Sequence, residues 1–284
     1  MATTIKLEVK RNAGWQSSDK MTWIPSVSET YDKLDPGFYE PVYIQNIGFV
    51  PKKLELGERD LFRLPDPNSQ LVLEDIQNFW KKQEYFEKYK FPYKRGILLY
   101  GPPGTGKSCT ISLLVQDVTQ MGGIVLRFED YSSWISVYKS IRQIQPDVPM
   151  IALLEDLDQI IDENSVSTIL NLLDGLEQSL NKIVFLATTN NPQRIADNIK
   201  NRPSRFDRRV KIGLPNENIR QAYLEHLFST GGSKIPSSDW ITKTKGFSLA
   251  HLKELFISVI CLGNDFNTVL DELRKMKEII TAED

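Results

Sequence analysis

The sequence predicts an α/β fold: a doubly wound parallel sheet, preceded by a short β-rich region and followed by a small helical domain. Three observations carry the prediction. Between residues 71 and 215, apolar runs of four or five residues recur without polar alternation, as strands buried on both faces of a parallel sheet do. Amphipathic stretches separate these runs, and repeated strand–helix alternation places helices over both faces. From residue 216 onward the strand signal stops and helical spacing continues alone.

Residues 1–70 open with Ile5, Leu7 and Val9 alternating against Lys6, Glu8 and Lys10, and continue with Val42 and Ile44, then Leu54 and Leu56. Prolines at 25, 36, 41, 51, 65 and 67 punctuate the region, so short strands and turns are expected. Residues 71–215 carry the sheet, with strands expected at 97–100, 124–128, 150–154, 183–187 and 209–213. A helix is expected over 109–121, ended by Gly122-Gly123. Val166, Ile169, Leu170 and Leu173 mark another by their i, i+3, i+4, i+7 spacing. Residues 216–284 form the helical domain, with patterns at 217–228, 248–261 and 267–280.

Composition narrows the function classes. A chain of 284 residues that is 40% hydrophobic and 25% charged can bury a sizeable core. The formal net charge of −2 gives no electrostatic case for a nucleic-acid or membrane partner. The first residues, MATTIKLEVKRN, lack the apolar stretch of a signal peptide, and no run approaches the ~20 residues of a membrane span. Cys109 and Cys261 are the only cysteines, which argues against a disulfide framework and makes a reducing cytoplasm the expected location. Two histidines and two cysteines leave little material for a zinc site.

The stretch Gly101-Pro102-Pro103-Gly104-Thr105-Gly106-Lys107-Ser108 follows the apolar run 97–100 and precedes Cys109 and a helix. It fits G-x-x-x-x-G-K-[ST], the phosphate-binding loop of P-loop NTPases (Walker A). Missing side chains let backbone N–H groups curl around phosphate oxygens at a helix N-terminus, whose partial positive charge favours an anion. Lys107 is expected to reach the β- and γ-phosphates of ATP, and the Ser108 hydroxyl to ligate Mg²⁺.

A second strand, 150–154, ends in Glu155-Asp156, with Asp158 close behind. Carboxylates at the C-terminal edge of a strand lie where open α/β sheets bind ligands. The position of a Walker B pair gives Glu155 the metal and Asp156 the attacking water. The usual order is Asp then Glu. The shorter Asp156 requires a closer water or a slower reaction.

These stretches, with ILNLLDGL and ATTNNPQRIADNIKNRPSRFDRRV in the same order, resemble the AAA ATPase family over residues 75–260. The resemblance implies an ATPase acting as a ring homo-oligomer, a hexamer, on a protein substrate, with ATP and Mg²⁺ held between subunits. Asn190 matches the family's sensor-1 residue. Arg202, Arg205 and Arg208 fall where the family's RPGRFDR pattern places its arginines, and Arg205 and Arg208 match fingers that reach the neighbouring subunit's γ-phosphate. Ser204 replaces that pattern's glycine. GFSLAHL, residues 246–252, matches the lid motif GFSGADL, with Leu249 and His251 departing from it. The Glu-Asp-Leu-Asp order looks most like the mitochondrial Rieske-protein translocase subgroup. That group's N-terminal membrane helix has no counterpart in these residues, so its function is not carried over.

Further positions carry paired readings. Trp134-Ile135 resembles the family's substrate-gripping pore loop. Equally, Trp134, Tyr138 and Ile141 share i, i+4, i+7 spacing and fit the core stripe of a helix. Asp75-Ile76 resembles the linker bordering the adenine, or else opens an amphipathic helix with Phe79 and Trp80. His226 approaches the ribose or lies on the surface. Residues 1–70 are expected to recruit or present the substrate. Three other functions compete: an ATP-dependent loader of nucleic-acid machinery, a small-molecule P-loop kinase, and an ATP-gated scaffold with weak hydrolysis.

Overall fold

A computed structural model describes residues 9–16, 24–55, 62–160, 169, 172–173, 180–195 and 205–282. Strands β1 (Val9–Gln16) and β2 (Ile24–Tyr31) form a two-stranded antiparallel ribbon. The remaining strands build one seven-stranded sheet. They are β3 (Gly37–Ile44), β4 (Gly48–Leu54), β5 (Lys94–Tyr100), β6 (Ile124–Arg127), β7 (Met150–Leu154), β8 (Ile183–Thr189) and β9 (Arg208–Lys211). Their order is β4-β3-β6-β7-β8-β5-β9, and every pairing is parallel except β3–β4.

All five strands expected from the apolar runs are present. Their side chains alternate between two cores. In β8, Ile183, Phe185 and Ala187 enter one cluster while Val184 and Leu186 enter the other. On one face lies α4 (Tyr131–Ile144), with Trp134, Val137, Tyr138 and Ile141 inward. On the other lie α1 (Pro67–Trp80), through Val72, Ile76 and Phe79, and α3 (Lys107–Gln120), through Ile111, Leu114 and Val118. Burying each such side chain contributes about 1.5–3 kcal/mol over leaving it in water. The helix α2 (Gln83–Lys88) leads from α1 to β5, and α5 (Leu157–Ile160) follows β7. Helix α3 ends where predicted: Gly122 adopts φ +82, and the Gly123 N–H donates to Val118 O at 2.8 Å. Ile169 and Leu173 are helical and buried, whereas Val166 and Leu170 lie outside the described residues.

One boundary moves. The hairpin β3–β4 is part of the large sheet, because Gly37, Phe38 and Tyr39 pair in parallel with Ile124, Val125 and Leu126. Residue 70, the expected boundary, falls inside α1. Alternation marked these strands but could not name their partner, since the pairing spans most of a hundred residues.

The helical domain holds α6 (Glu217–Thr230), α7 (Asp239–Thr242), α8 (Leu249–Phe256) and α9 (Phe266–Ala282), with α8 running on into a π-helical turn, Ile257–Cys261. Asn216 caps α6 by accepting from Ile219 N–H, and Ser248 caps α8 by accepting from His251 N–H. Its core gathers Leu224, Phe228, Trp240, Phe247, Leu252 and Leu255, and Leu64, from the segment before α1, packs against it. Helix α7 is a single turn, too short to show periodicity. Among the described residues no helix is long and apolar enough to cross a membrane.

Candidate functional site

The parallel strands β5, β7 and β8 end at one edge of the sheet, and a cleft of about 740 Å³ opens there beneath the helical lid. Its floor is the loop between β5 and α3. Pro103, Gly104, Gly106, Lys107, Ser108 and Cys109 line it. Gly104 adopts φ +71, and a Cβ there would lie 2.7 Å from the Ala250 Cβ and 2.8 Å from the Ser248 Oγ of the lid. Only glycine fits that crossing. The Ala250 N–H donates to Gly104 O at 3.2 Å, so the lid rests directly on the loop. Gly101, Pro102 and Thr105 do not line the cleft. The Thr105 hydroxyl lies 2.9 Å from both Pro102 O and Ile212 O, to either of which it can donate, and so anchors the loop from behind.

Lys107 is 6% exposed. Its Nζ donates to Gly101 O at 2.7 Å and Pro102 O at 2.9 Å, and no carboxylate among the described residues lies within ion-pair distance. Burial pushes its pKa down, opposed by the charges of Asp156 and Asp158. A buried ammonium in direct contact only with carbonyls, with Asp156 and Asp158 beyond ion-pair distance, leaves a place for a contacting anion, and a phosphate group supplies one. No side chain caps the first turn of α3, so its N–H groups also face the cleft.

Opposite Lys107 stand Glu155, Asp156, Thr188 and Asn190. Asp156 adopts φ +48, a left-handed conformation that aspartate tolerates better than most residues. Its N–H donates to Thr188 Oγ1 at 3.0 Å, and its Oδ1 accepts from Asn190 Nδ2 at 3.1 Å. Thr189 Oγ1 donates to Asp158 Oδ1 at 2.6 Å. Glu155 sits 3.5 Å from Arg127 Nη2, an ion pair that sequence gave no sign of. The donor set suits magnesium carried in with a nucleotide. One hydroxyl, Ser108, and one carboxylate, Glu155, leave room for waters and phosphate oxygens, which Mg²⁺ prefers. No cluster of three metal-ligating side chains occurs among the described residues.

The far end of the cleft is apolar and aromatic. Phe62 and Leu64, before α1, face Tyr223, His226 and Leu227 of α6. Phe62 stacks on His226 at 4.2 Å between centroids and 12° between planes. Cys109 Sγ contacts Phe62 O at 3.5 Å, and burial pushes its thiol pKa up. Arg63 grips Asp117 of α3 at 2.8 and 3.1 Å, which fixes the segment in place. Of these residues the sequence singles out only Cys109, which follows the phosphate loop, and His226. Tyr223 and Leu227, at i and i+4, share its face of α6 and were readable in principle.

Two expectations are corrected. Ile76 is 1% exposed within the core, and Asp75 points to Arg95 and Arg208, so neither borders the cleft. The helical reading of this stretch holds, and Phe62 and Leu64 take the linker's place. Trp134 is 0% and Ile135 8% exposed, so neither forms an exposed pore loop. Asp130 caps α4 immediately after β6, accepting from Ser133 N–H, which puts Trp134 on the helix face turned to the sheet.

The candidate fingers also stand apart from the cleft. Arg205 is 4% exposed, and Arg208 lies on β9 opposite Ile97, three residues short of Tyr100. Neither lines the cleft of its own chain. Arg202 and Ser204 lie outside the described residues.

The mostly parallel sheet, the helices on both faces and this loop make an α/β P-loop NTPase fold. Residues 97–214 match the sequence model of the ATPase family associated with various cellular activities (AAA). The human ATPase family gene 2 protein homolog A is 31% identical over 173 residues, 55% of this chain and 19% of its own length. The cell division cycle protein 48 homolog of Archaeoglobus fulgidus is 30% identical over 170 residues, 55% of this chain and 23% of its own. The probable mitochondrial chaperone BCS1-B of Dictyostelium discoideum is 30% identical over 187 residues, 51% of this chain and 40% of its own. The chain thus spans less than half the length of these relatives.

Proposed function

We propose that the AAA ATPase domain of this chain binds Mg-ATP in the cleft under its lid and hydrolyses it as part of a ring homo-oligomer, a hexamer, that remodels or translocates a protein. The observation that carries the reading is Lys107, buried with no ion-pair partner among the described residues and facing Glu155, Asp156 and Asn190 across one cleft. Lys107 and the N–H groups of the first turn of α3 hold the phosphates. Ser108 and Glu155 would hold Mg²⁺, whose charge would offset that of the phosphate oxygens. Asp156 orients the attacking water and draws its proton, while Asn190, bonded to Asp156, holds that carboxylate in place. Phe62, Tyr223 and His226 take the base.

Ring assembly is supported by what each subunit's own cleft lacks. Arg205 and Arg208 match finger positions but lie off their own cleft. A guanidinium from the adjacent subunit would complete the site and raise the rate ~10³–10⁵-fold. The name of the chaperone relative supports a protein substrate. With Trp134 in the core, the grip on that substrate must come from elsewhere. Membership of the Rieske-protein translocase subgroup belongs to the same proposal, supported by the order Glu155-Asp156-Leu157-Asp158.

A second reading, an ATP-gated scaffold with slow turnover, is favoured by Arg127 lying on Glu155 and by the short Asp156. Specific ATPase activity measured against protein concentration, with oligomer mass followed with and without Mg-ATP, tests both. Activity that rises with assembly supports the ring. Activity flat down to monomer refutes shared sites, and assembly without turnover leaves the scaffold.

A further inference from the structure

We infer that Asp75 is the positioning residue of Arg208, holding the inner nitrogen of its guanidinium so that the outer fork faces a neighbouring subunit. The inference rests on the in-trans reading above and adds a residue to it. Arg208 Nε lies 3.2 Å from Asp75 Oδ2, and the same oxygen lies 3.4 Å from Arg95 Nη2. Asp75 is the least exposed of the three side chains at 18%, and Arg208 the most at 42%. The contact uses Nε, the nitrogen nearest the chain. Among the described residues nothing accepts from Arg208 Nη1 or Nη2, so the planar fork that suits phosphate stays available.

Charge points the same way. Two cations share one carboxylate, so the cluster keeps a net positive charge. Repulsion from Arg95 drives the Arg208 fork outward, and the bond to Asp75 keeps its stem from following. Geometry excludes the chain's own cleft as the target. Arg208 pairs with Ile97 on β5, four residues before the phosphate loop begins at Gly101, which is about 13 Å at a strand's rise. Arg205, 4% exposed, cannot reach out without rearrangement. Arg208 is therefore the finger already presented, and Asp75 sets its direction.

The test is steady-state ATP hydrolysis by the full chain at concentrations where light scattering shows complete assembly. The variants are Asp75→Asn, Asp75→Glu, Arg208→Ala, and Asp75→Asn combined with Arg208→Ala. Asp75→Asn is expected to lower kcat roughly tenfold, with the KM for ATP and the oligomer mass unchanged, as loss of orientation does. Asp75→Glu is expected to restore most of kcat. The double variant is expected to be no slower than Arg208→Ala alone. The inference is overturned if Asp75→Asn keeps full kcat, disperses the assembly, or multiplies its effect with that of Arg208→Ala. If Arg208→Ala itself leaves kcat unchanged, the finger reading falls first and takes this inference with it.

Discussion

Replacing Trp134 with alanine separates a structural residue from a substrate-handling one. The indole is fully buried between the sheet and α4. It stacks on Tyr138 at 5.0 Å and 15°, and lies 6.0 Å from Phe128 and 6.3 Å from Phe185. Deleting a buried aromatic costs about 3–5 kcal/mol through lost transfer energy and the cavity left behind. One term works against this. Trp134 Nε1 is buried with no hydrogen-bond partner among the described residues, and removing such a donor returns about 1 kcal/mol. The net loss is about 2–4 kcal/mol, which lowers the melting temperature by roughly 5–15 °C in a domain of this size. Trp134→Phe keeps most of the stack and discards the orphaned N–H, so it should cost under about 1 kcal/mol. Thermal unfolding followed by circular dichroism reads both variants. A Trp134→Ala protein that melts like the wild type but fails to act on substrate would sink the core assignment.

Lys107→Ala should weaken ATP binding by about 10–100-fold, the worth of hydrogen bonds to a charged group; calorimetric titration measures it, and an unchanged Kd would remove Lys107 from the site. Phe62→Ala should weaken ATP about tenfold while leaving tripolyphosphate affinity unaltered, because only the base loses its aromatic partner; equal losses for both ligands would place the base elsewhere. The hydroxyls of Tyr39 and Tyr93 donate to Asp35 O and Phe79 O, and burial pushes both pKa values up to about 12. An acid whose folded pKa is raised stabilises fully below its unfolded pKa, about 10 for tyrosine, and loses that contribution as pH climbs through the folded value. Denaturant midpoints should therefore fall between pH 10 and 12, and fall less in Tyr93→Phe; a flat profile would contradict the buried hydroxyls.

The phosphate loop was legible because its function resides in contiguous backbone, and eight residues state both the turn and the cation. The acidic strand end was legible for the same reason, since Glu155 and Asp156 directly follow the run that places them. The base end was not. Phe62 and His226 stack although they lie 164 positions apart in sequence, and Phe62 sits in an irregular segment with no periodicity to read. Asp75 misled because its neighbours fit a familiar motif while its own carboxylate turned toward β9. Trp134 fitted two templates at once. The deciding signal was a modest one, an aspartate cap at Asp130 that starts the helix before any loop can form.

Strand β3 is wedged between β4 and β6, so the polypeptide upstream of Gly37 is rooted inside the seven-stranded sheet. Tension applied along that strand would load its flanking hydrogen bonds in shear, all together, instead of unzipping them singly. Its second neighbour, β7, terminates at Glu155 and Asp156. A weight tethered to the N-terminal side would therefore tug, through the short turn at 32–36, on the same plate that carries the two carboxylates.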